Sequence, residues 1–323
     1  MNTKKLQVLA TSKLSRLAGL MRYSSFAPPP FYLRIMLTYE CNLGCSFCNQ
    51  KELMDVAGNE ELDVETLEKI EDNIDFPYKP KIHLFGGEPT VHENIEEVID
   101  LFHERGYRVS MTTNGVDAGW MASDTMEGLD EINISVNTTE YSYVLEAVER
   151  INSFSSPPLI NVNCPITPQN QNDLARISRD FKDLGISAIV FNHLSFSREE
   201  TINEEIDIET VRSQKRKVED MDIPSIFFPP VREEDFEEYY LNPSFPGTKC
   251  IAPWLKMEIL PSGKVASCPK LVPDKDVVVG DATEENLSEV WNNEKFRQIR
   301  KRIHEDGVFE DSYCFRCCFR RYR

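Results

Sequence analysis

Short apolar runs alternate with amphipathic segments from residue 31 to about residue 230. The runs are rich in β-branched and aromatic residues, which predicts six strands and a looser seventh. In chain order they are YLRIML, KIHLF, YRVSMTT, EINISVN, LINVNCPI, AIVFNHL and SIFF. Between them apolar residues recur at three and four spacing, which predicts helices near 62–73, 92–105, 139–152, 170–184 and 205–220.

Six strand-then-helix repeats predict parallel strands joined by right-handed crossovers. Such a chain forms an open wound sheet or a barrel, and we predict an α/β fold with a partial (β/α)6 TIM-like barrel. In a barrel the chemistry belongs at the carboxyl ends of the strands. The unusual motifs lie there: CNLGCSFC after the first strand, GGEPT after the second and NG after the third.

The pattern changes after Pro229 and Pro230. The segment KMEIL-PSG-KVAS alternates around a Pro-Ser-Gly turn and predicts a β-hairpin. A helix is predicted at about 285–305, and the cysteine-rich CFRCC follows it. We therefore predict a barrel domain over 31–235 and a small cysteine-rich α+β domain over 236–323.

The first 39 residues contain no acidic residue and several basic ones. Leucines and a methionine recur there at helical spacing before three prolines, which predicts a basic amphipathic helix within residues 1–30. Three interpretations compete: a helix packed on the body of the protein, a membrane-surface or partner helix, and an organelle transit peptide. We favour the first.

The charge and cysteine content narrow the function. With 36 Lys and Arg against 54 Asp and Glu, the formal charge of −18 disfavours nucleic acid as a partner. No stretch approaches the roughly 18 apolar residues of a membrane span, so no integral membrane segment is expected. Eight of the nine cysteines are grouped, and clustered thiols without a secretory signal indicate metal binding in the cytoplasm. The exception, Cys164, is predicted to be a core residue.

The spacing of Cys41, Cys45 and Cys48 is C-x3-C-x2-C. A structural zinc site needs four ligands, and the nearest histidines, His83 and His92, lie a predicted strand away. In a four-iron cluster each iron takes one ligand, so three thiolates leave one iron open. An open coordination position is typical of a reactive metal site.

Two motifs together resemble those of the radical S-adenosylmethionine (SAM) enzymes. These are the cysteine loop, with Phe47 as the aromatic residue before Cys48, and GGEP at residues 86–89 after the second strand. In that family the open iron chelates the amino and carboxylate groups of SAM. One electron then breaks a carbon–sulfur bond of SAM and releases a 5′-deoxyadenosyl radical. The resemblance implies a [4Fe-4S] cluster and SAM as cofactors.

The same resemblance implies roles for individual residues. Phe47 would border the adenine of SAM. Gly86 and Gly87 lack side chains and would let the backbone approach the ligand, and Glu88 would offer a carboxylate to the SAM ammonium.

Further polar residues lie at the ends of the later strands. Ser135 and Asn137 alternate on one face of the fourth strand, where they would reach the ribose or lie in a hydrogen-bonded barrel interior. Asn114, a weaker candidate, belongs to an Asn-Gly turn. Asn163 and Asn192 are predicted to line the same cavity. His193 is the one candidate general base, although we favour a core histidine.

A second set of cysteines comprises Cys250, Cys268, Cys314 and Cys317. Four thiols satisfy either a zinc site or a second four-iron cluster. The segment resembles the SPASM/Twitch auxiliary domain of radical SAM enzymes, in the shorter form found in 2-deoxy-scyllo-inosamine dehydrogenase. The resemblance implies an auxiliary [4Fe-4S] cluster on these four cysteines. We assign Cys318 no ligand role, although it could stand in for Cys317.

A fully ligated auxiliary cluster could accept an electron from a substrate radical, which favours an oxidoreductase. About 30 residues precede the first strand, too few for a leader-binding domain, so we expect a small-molecule substrate such as a sugar or cyclitol intermediate. A peptide substrate with a separate leader-binding protein is the alternative. Flavodoxin or ferredoxin is the expected one-electron reductant. A non-enzymatic zinc or electron-transfer protein is the competing class.

Overall fold

A ten-stranded sheet is the centre of the computed structural model, which describes residues 25–48, 60–116, 124–193, 206–241, 250–268 and 278–306. The strands are β1 Tyr32–Met36, β2 Lys81–Phe85, β3 Val109–Thr113, β4 Glu131–Ser135, β5 Leu159–Ile166, β6 Ala188–His193, β7 Ser225–Phe228, β8 Lys256–Ile259, β9 Lys264–Ala266 and β10 Val278–Asp281. Their order in the sheet is β10-β9-β8-β1-β2-β3-β4-β5-β6-β7.

Strands β1 to β7 are parallel, and each pairs with the next along the chain. This arrangement confirms the predicted βα repeat and the open partial barrel. The predicted hairpin is also present, because β8 and β9 pair antiparallel. Strand β8 pairs in parallel with β1, so the hairpin extends the barrel sheet.

Helices lie between most of the parallel strands: α1 Val64–Asp72, α2 Ile95–Glu104, α3 Ser142–Asn152, α4 Leu174–Asp180 and α5 Ile208–Glu219. Helix α6 Phe236–Leu241 follows β7, and α7 Leu287–Trp291 and α8 Glu294–Asp306 follow β10. Helix α1 begins at an N-cap, where the Asp63 carboxylate accepts a hydrogen bond from the Thr66 amide at 2.7 Å. The helix predicted at 285–305 is divided into α7 and α8.

The two faces of the sheet differ in polarity because side chains alternate along each strand. On one face, residues such as Leu33, Ile35, Ile82 and Leu84 are fully buried in the core. The opposite face, here called the inner face, carries the intervening residues, many of them polar. The predicted polar positions of β4, β5 and β6 lie on this inner face.

The C-terminal helices are fastened to the segment before β1. The Arg300 guanidinium is buried between the rings of Trp291 and Phe296 and donates to the Pro253 carbonyl oxygen at 2.8 Å and to Ser25 O at 3.2 Å. Trp291 Nε1 donates to Pro28 O at 2.7 Å. These contacts bind both ends of the described chain to each other.

Helix α6 packs on the barrel, since the ring of Phe236 lies 5.4 Å from that of His193. The domain boundary placed at residue 235 stays a prediction. The predicted N-terminal helix, Cys314, Cys317 and Cys318 lie outside the described residues, apart from residues 25–30. In the described part of the chain, no helix has the length and apolarity needed to cross a membrane.

Candidate functional site

The cysteine loop begins just after β1, at the carboxyl edge of the sheet. Cys41, Cys45 and Cys48 are all half-buried, and none of them forms a disulfide with another described cysteine. The loop is tightened by hydrogen bonds from the Cys48 amide to Cys45 O at 3.1 Å and from the Leu43 amide to Cys41 Sγ at 3.4 Å. The loop therefore gathers three thiols at one end of one strand.

The three thiols influence one another electrostatically. Burial first, and then the charges of Cys48 and Cys41, raise the pKa of Cys45 to about 11. Burial likewise raises the pKa of Cys41, and Glu88 and Cys48 add to this shift. Binding a cationic metal centre would remove this mutual repulsion, because thiolates are its ligands.

Three soft sulfur donors suit a four-iron cluster with one open iron. Among the described residues, no group of three or more His, Cys, Asp or Glu side chains is arranged to hold a single metal ion. A cube that takes one thiolate per iron needs its sulfur ligands farther apart than a single tetrahedral ion does. The chemistry of the donor set therefore fits the cluster better than a zinc ion.

The two glycines of GGEP let two backbone segments approach each other closely. A Cβ at Gly87 would lie 2.1 Å from Glu40 O, and a Cβ at Gly86 would lie 2.5 Å from Thr38 O. The Gly87 amide donates to Thr38 O and the Glu88 amide to Glu40 O, both at 2.8 Å. The sequence had suggested an approach to a ligand, and the structure shows an approach to the residues that lead into the cysteine loop.

Glu88 is a buried carboxylate with several donors around it. Its Oε1 accepts hydrogen bonds from the Thr113 hydroxyl at 2.6 Å, the Thr90 hydroxyl at 2.9 Å and the Thr90 amide at 3.1 Å, and its Oε2 accepts from the Asn114 amide at 2.6 Å. Burial raises its pKa in spite of these bonds. The sequence did not predict this supporting role. Contact with the SAM ammonium stays a prediction, and an ammonium would share the carboxylate with these donors.

Asn114 connects the third strand to the cysteine loop. Its side-chain amide donates to Asn42 Oδ1 at 2.7 Å, and its own Oδ1 accepts from the Val116 amide at 2.9 Å. Gly115 follows with a φ of +75°, as the predicted turn requires. The sequence analysis did not identify Asn42 as a residue of the site. Its position between Cys41 and Cys45 was the feature of the sequence that could have indicated it. The ends of β1, β2 and β3 are thus joined through Asn42, Asn114 and Glu88.

The other predicted SAM contacts lie around this edge. Phe47 is half-buried in the cysteine loop. Ser135 ends β4 on the inner face and Asn137 lies just beyond it, both half-buried. Asn163 and Asn192 also lie half-buried on that face. Their contacts to SAM stay predictions.

His193 and Cys164 are core residues, as the sequence analysis favoured. His193 lies on the helix-facing side of β6 among the rings of Phe227, Phe236, Tyr239 and Tyr240. Burial first, and then the charge of Lys215, lower the pKa of His193 to about 3. Cys164 is fully buried, and burial raises its pKa to about 12. His193 is therefore not placed to act as a general base on the inner face.

The first two cysteines of the auxiliary set lie near the opposite edge of the sheet. Cys268 follows β9 closely, and β9 runs antiparallel to β8, which brings Cys268 opposite the start of β8. Cys250 precedes the 3₁₀ helix Ala252–Trp254 that leads into β8. Both are half-buried. Their ligand roles, like those of Cys314 and Cys317, stay predictions.

Comparison with known families decides the assignment. Residues 35–194 match the model of the radical SAM superfamily. The chain belongs to the radical SAM superfamily. Residues 250–318 match the SPASM model, an iron–sulfur cluster-binding domain. The two matches imply a [4Fe-4S] cluster, SAM and an auxiliary cluster for this radical SAM protein. Cys41, Cys45 and Cys48 would hold the first cluster.

Similar proteins include enzymes with several different names. The radical SAM chain is 32% identical over 157 residues to a probable GTP 3′,8-cyclase of Thermococcus kodakarensis, which covers 44% of this chain and 50% of the relative. It is 24% identical over 196 residues to a tungsten-containing aldehyde ferredoxin oxidoreductase cofactor-modifying protein of Pyrococcus furiosus, over 54% of each chain. The chain thus spans about half the length of the curated relatives it matches.

Solved structures share the fold. Streptococcus suis SuiB superposes with a TM-score of 0.66 at 17% identity, over 93% of this chain and 74% of SuiB. The structure of anSMEcpe with bound AdoMet gives a TM-score of 0.61 at 16% identity, over 88% of this chain and 92% of that one. The radical SAM partial barrel with its appended hairpin is therefore a fold seen before.

Proposed function

We propose that this radical SAM enzyme oxidises a small polar molecule, such as a sugar, a cyclitol or another natural-product intermediate, at an unactivated carbon–hydrogen bond. An external one-electron reductant such as flavodoxin or ferredoxin supplies the electron that splits SAM into methionine and the 5′-deoxyadenosyl radical. The substrate gives one hydrogen atom to that radical, which becomes 5′-deoxyadenosine. Loss of one further electron and one proton would complete a two-electron dehydrogenation; the auxiliary cluster, which Cys250, Cys268, Cys314 and Cys317 would hold, would supply the electron acceptor.

The observation that carries this proposal is the polar inner face of the sheet. It lies between the cysteine loop at one edge and Cys250 and Cys268 near the other. Side chains on it form hydrogen bonds along the sheet, such as His83 Nδ1 with the Ser110 hydroxyl at 2.9 Å and Asn161 with Asn133 Oδ1 at 3.2 Å. A surface of amides, hydroxyls and charges suits a hydroxylated or amino-bearing substrate better than an apolar one.

A peptide is the second candidate substrate. It is supported by the structure of SuiB bound to its precursor peptide SuiA, a protein with the same fold. A leader-binding partner would then present the peptide to this chain. The two candidates differ in the molecule that donates the hydrogen atom, and an isotope experiment separates them.

The test uses anaerobically reconstituted protein, with about eight irons expected if both clusters are four-iron. Reduced protein and SAM should release 5′-deoxyadenosine, and a deuterated sugar or cyclitol should pass deuterium into that nucleoside. Replacement of Cys41, Cys45 and Cys48 together by alanine should abolish SAM cleavage. Cys164→Ala, which alters a buried thiol away from the loop, is the control and should retain it.

Several outcomes would count against this assignment. Reductive cleavage of SAM by the triple alanine variant would contradict the proposal that these three cysteines hold the cluster that cleaves SAM. Deuterium transfer from peptides but not from small molecules would move the substrate to the second candidate. A colourless protein that binds zinc and releases no nucleoside would favour the non-enzymatic class.

A further inference from the structure

Glu258 is a fully buried carboxylate on the inner face of β8. It lies opposite Arg34 in the register of β1 and β8. Arg34 Nη1 donates to Glu258 Oε1 at 3.0 Å, and the ammonium group of Lys256 donates to the same oxygen. The side chain of Lys256 is nearly buried as well, at 5% exposed. Two cations thus hold one carboxylate oxygen inside the protein.

The second oxygen of this carboxylate is unpartnered. Glu258 Oε2 is buried and has no hydrogen-bond partner among the described residues. A buried acceptor without a donor is costly, and such atoms are uncommon in folded proteins. Among the carboxylate oxygens of the described residues, Glu258 Oε2 is the one that is buried without a hydrogen-bond partner. A carboxylate oxygen with a free lone pair is complementary to a ligand that carries a hydrogen-bond donor.

Nearby polar groups on the inner face do not donate a hydrogen bond to Glu258 Oε2. His83 hydrogen-bonds to the hydroxyls of Ser110 at 2.9 Å and Thr112 at 3.2 Å. Burial, together with the charges of Arg34, Lys81 and Lys256, holds the pKa of His83 well below its ordinary value, so the ring stays neutral.

The other carboxylate of this face already has a partner. Glu131 accepts from the Lys81 ammonium at 2.7 Å and is partly exposed. Among the described carboxylates of this face, the buried oxygen without a partner is therefore Glu258 Oε2.

The position of Glu258 suits a substrate site. The cysteine loop follows β1, the strand that carries Arg34. Ala266 of β9 pairs with Glu258, and Cys268 lies two residues after Ala266. A molecule bound against Glu258 would therefore lie between the two groups of cysteines.

We propose that Glu258 Oε2 accepts a hydrogen bond from a hydroxyl or protonated amino group of the substrate, while the hydrogen bonds from Arg34 and Lys256 to Oε1 hold the carboxylate in place. This inference rests on the proposed function and adds the chemical class of the group that is recognised. Glu258 is a binding residue in this proposal, and the hydrogen-atom transfer takes place at another carbon of the same molecule.

The test measures binding of defined probes to the anaerobically reconstituted holoenzyme with SAM present. The probes are scyllo-inositol, which offers hydroxyl donors, 2-deoxystreptamine, which adds ammonium donors, and hexa-O-methyl-inositol, which keeps the oxygen acceptors without any donor. Titration calorimetry on the wild type and Glu258→Gln should show donor probes bound about tenfold to a hundredfold more weakly by the variant. The probe that loses more affinity identifies the preferred donor.

Glu71→Gln is the matched control. Glu71 of α1 is a largely buried carboxylate paired with Arg105, away from the inner face. Its substitution removes an ion pair of similar kind and should leave probe binding unchanged. Thermal midpoints of both variants separate a structural role from recognition, since a structural ion cluster would lower the midpoint without changing affinity.

The binding results test the role of Glu258, and the SAM-cleavage result tests the proposed function. Equal affinity of Glu258→Gln and wild type for the donor probes, failure of both donor probes to bind the wild type, or equal binding of hexa-O-methyl-inositol would overturn the inference. SAM cleavage, measured as 5′-deoxyadenosine with and without candidate sugar, cyclitol and peptide substrates, reports on the proposed function separately. Its absence in the wild type under all of these conditions would refute that function whatever the binding data show.

Discussion

Gly87→Ala should destabilise the connection between GGEP and the cysteine loop. The added methyl group would lie 2.1 Å from Glu40 O and 2.5 Å from Tyr39 O, both backbone atoms, so no flexible side chain can move aside. Overpacking costs about 1–3 kcal/mol, and loss of the two 2.8 Å hydrogen bonds made by the Gly87 and Glu88 amides costs about 1 kcal/mol each. The expected loss is about 3–5 kcal/mol of unfolding free energy.

Gly44→Ala provides the matched control within the same site. Gly44 lies in the cysteine loop, and a Cβ there would meet no atom within 4 Å. At about 2 °C per kcal/mol, the thermal midpoint should fall by about 6–10 °C for Gly87→Ala and by less than about 2 °C for Gly44→Ala. Scanning fluorimetry of the anaerobic apoprotein measures both, and iron content after reconstitution shows whether the loop still assembles. Similar midpoints for the two variants would refute the close-packing explanation.

Three further substitutions test other parts of the structure. Asn114→Ala removes the bond to Asn42 and should make the reconstituted protein lose iron to a chelator roughly fivefold faster, corresponding to about 1 kcal/mol; an unchanged rate would contradict the link. Arg300→Met leaves buried carbonyl groups unpaired and should cost about 3 kcal/mol in denaturant unfolding, against less than about 1 kcal/mol for the exposed Arg302→Met. His193, with a folded pKa of about 3, stays neutral while the unfolded chain takes up a proton below about pH 6.5. Stability is therefore lost as pH falls from 6.5 towards 3, and His193→Leu should reduce this loss by on the order of 1 kcal/mol per pH unit; an identical acid profile would contradict the assignment.

The strands of the barrel could be predicted because their alternation is local. In β5, for example, Ile160, Val162, Cys164 and Ile166 are buried while the residues between them face the other side. The pairing of β8 with β1 could not be predicted, because Arg34 and Glu258 are separated by more than two hundred residues and either strand satisfies its own pattern alone. The hairpin was therefore predicted correctly as a local unit, without its place in the sheet.

The candidate site shows the same division between local motifs and tertiary contacts. The cysteine spacing and GGEP are short motifs whose residues lie close together along the chain, so they can be recognised from the sequence. The buried surroundings of Glu88, the bond between Asn42 and Asn114 and the free oxygen of Glu258 depend on which strand ends meet. Asn-Gly at residues 114–115 predicted a turn and made Asn114 a weaker candidate for a SAM contact. The contact of Asn114 with the cysteine loop was not predicted, because it arises where β2 holds β1 and β3 at a fixed spacing.

The ladder between β1 and β8 limits how this molecule can open. Hinge motion that separated the appended hairpin from the barrel would break the pairing of Tyr32 to Ile35 with Lys256 to Ile259 and pull Arg34 from Glu258. A small molecule would therefore not enter between β1 and β8, and the five residues of β1 span roughly 16 Å. If clusters form at the two edges of the sheet, the length of this strand would set the separation between them.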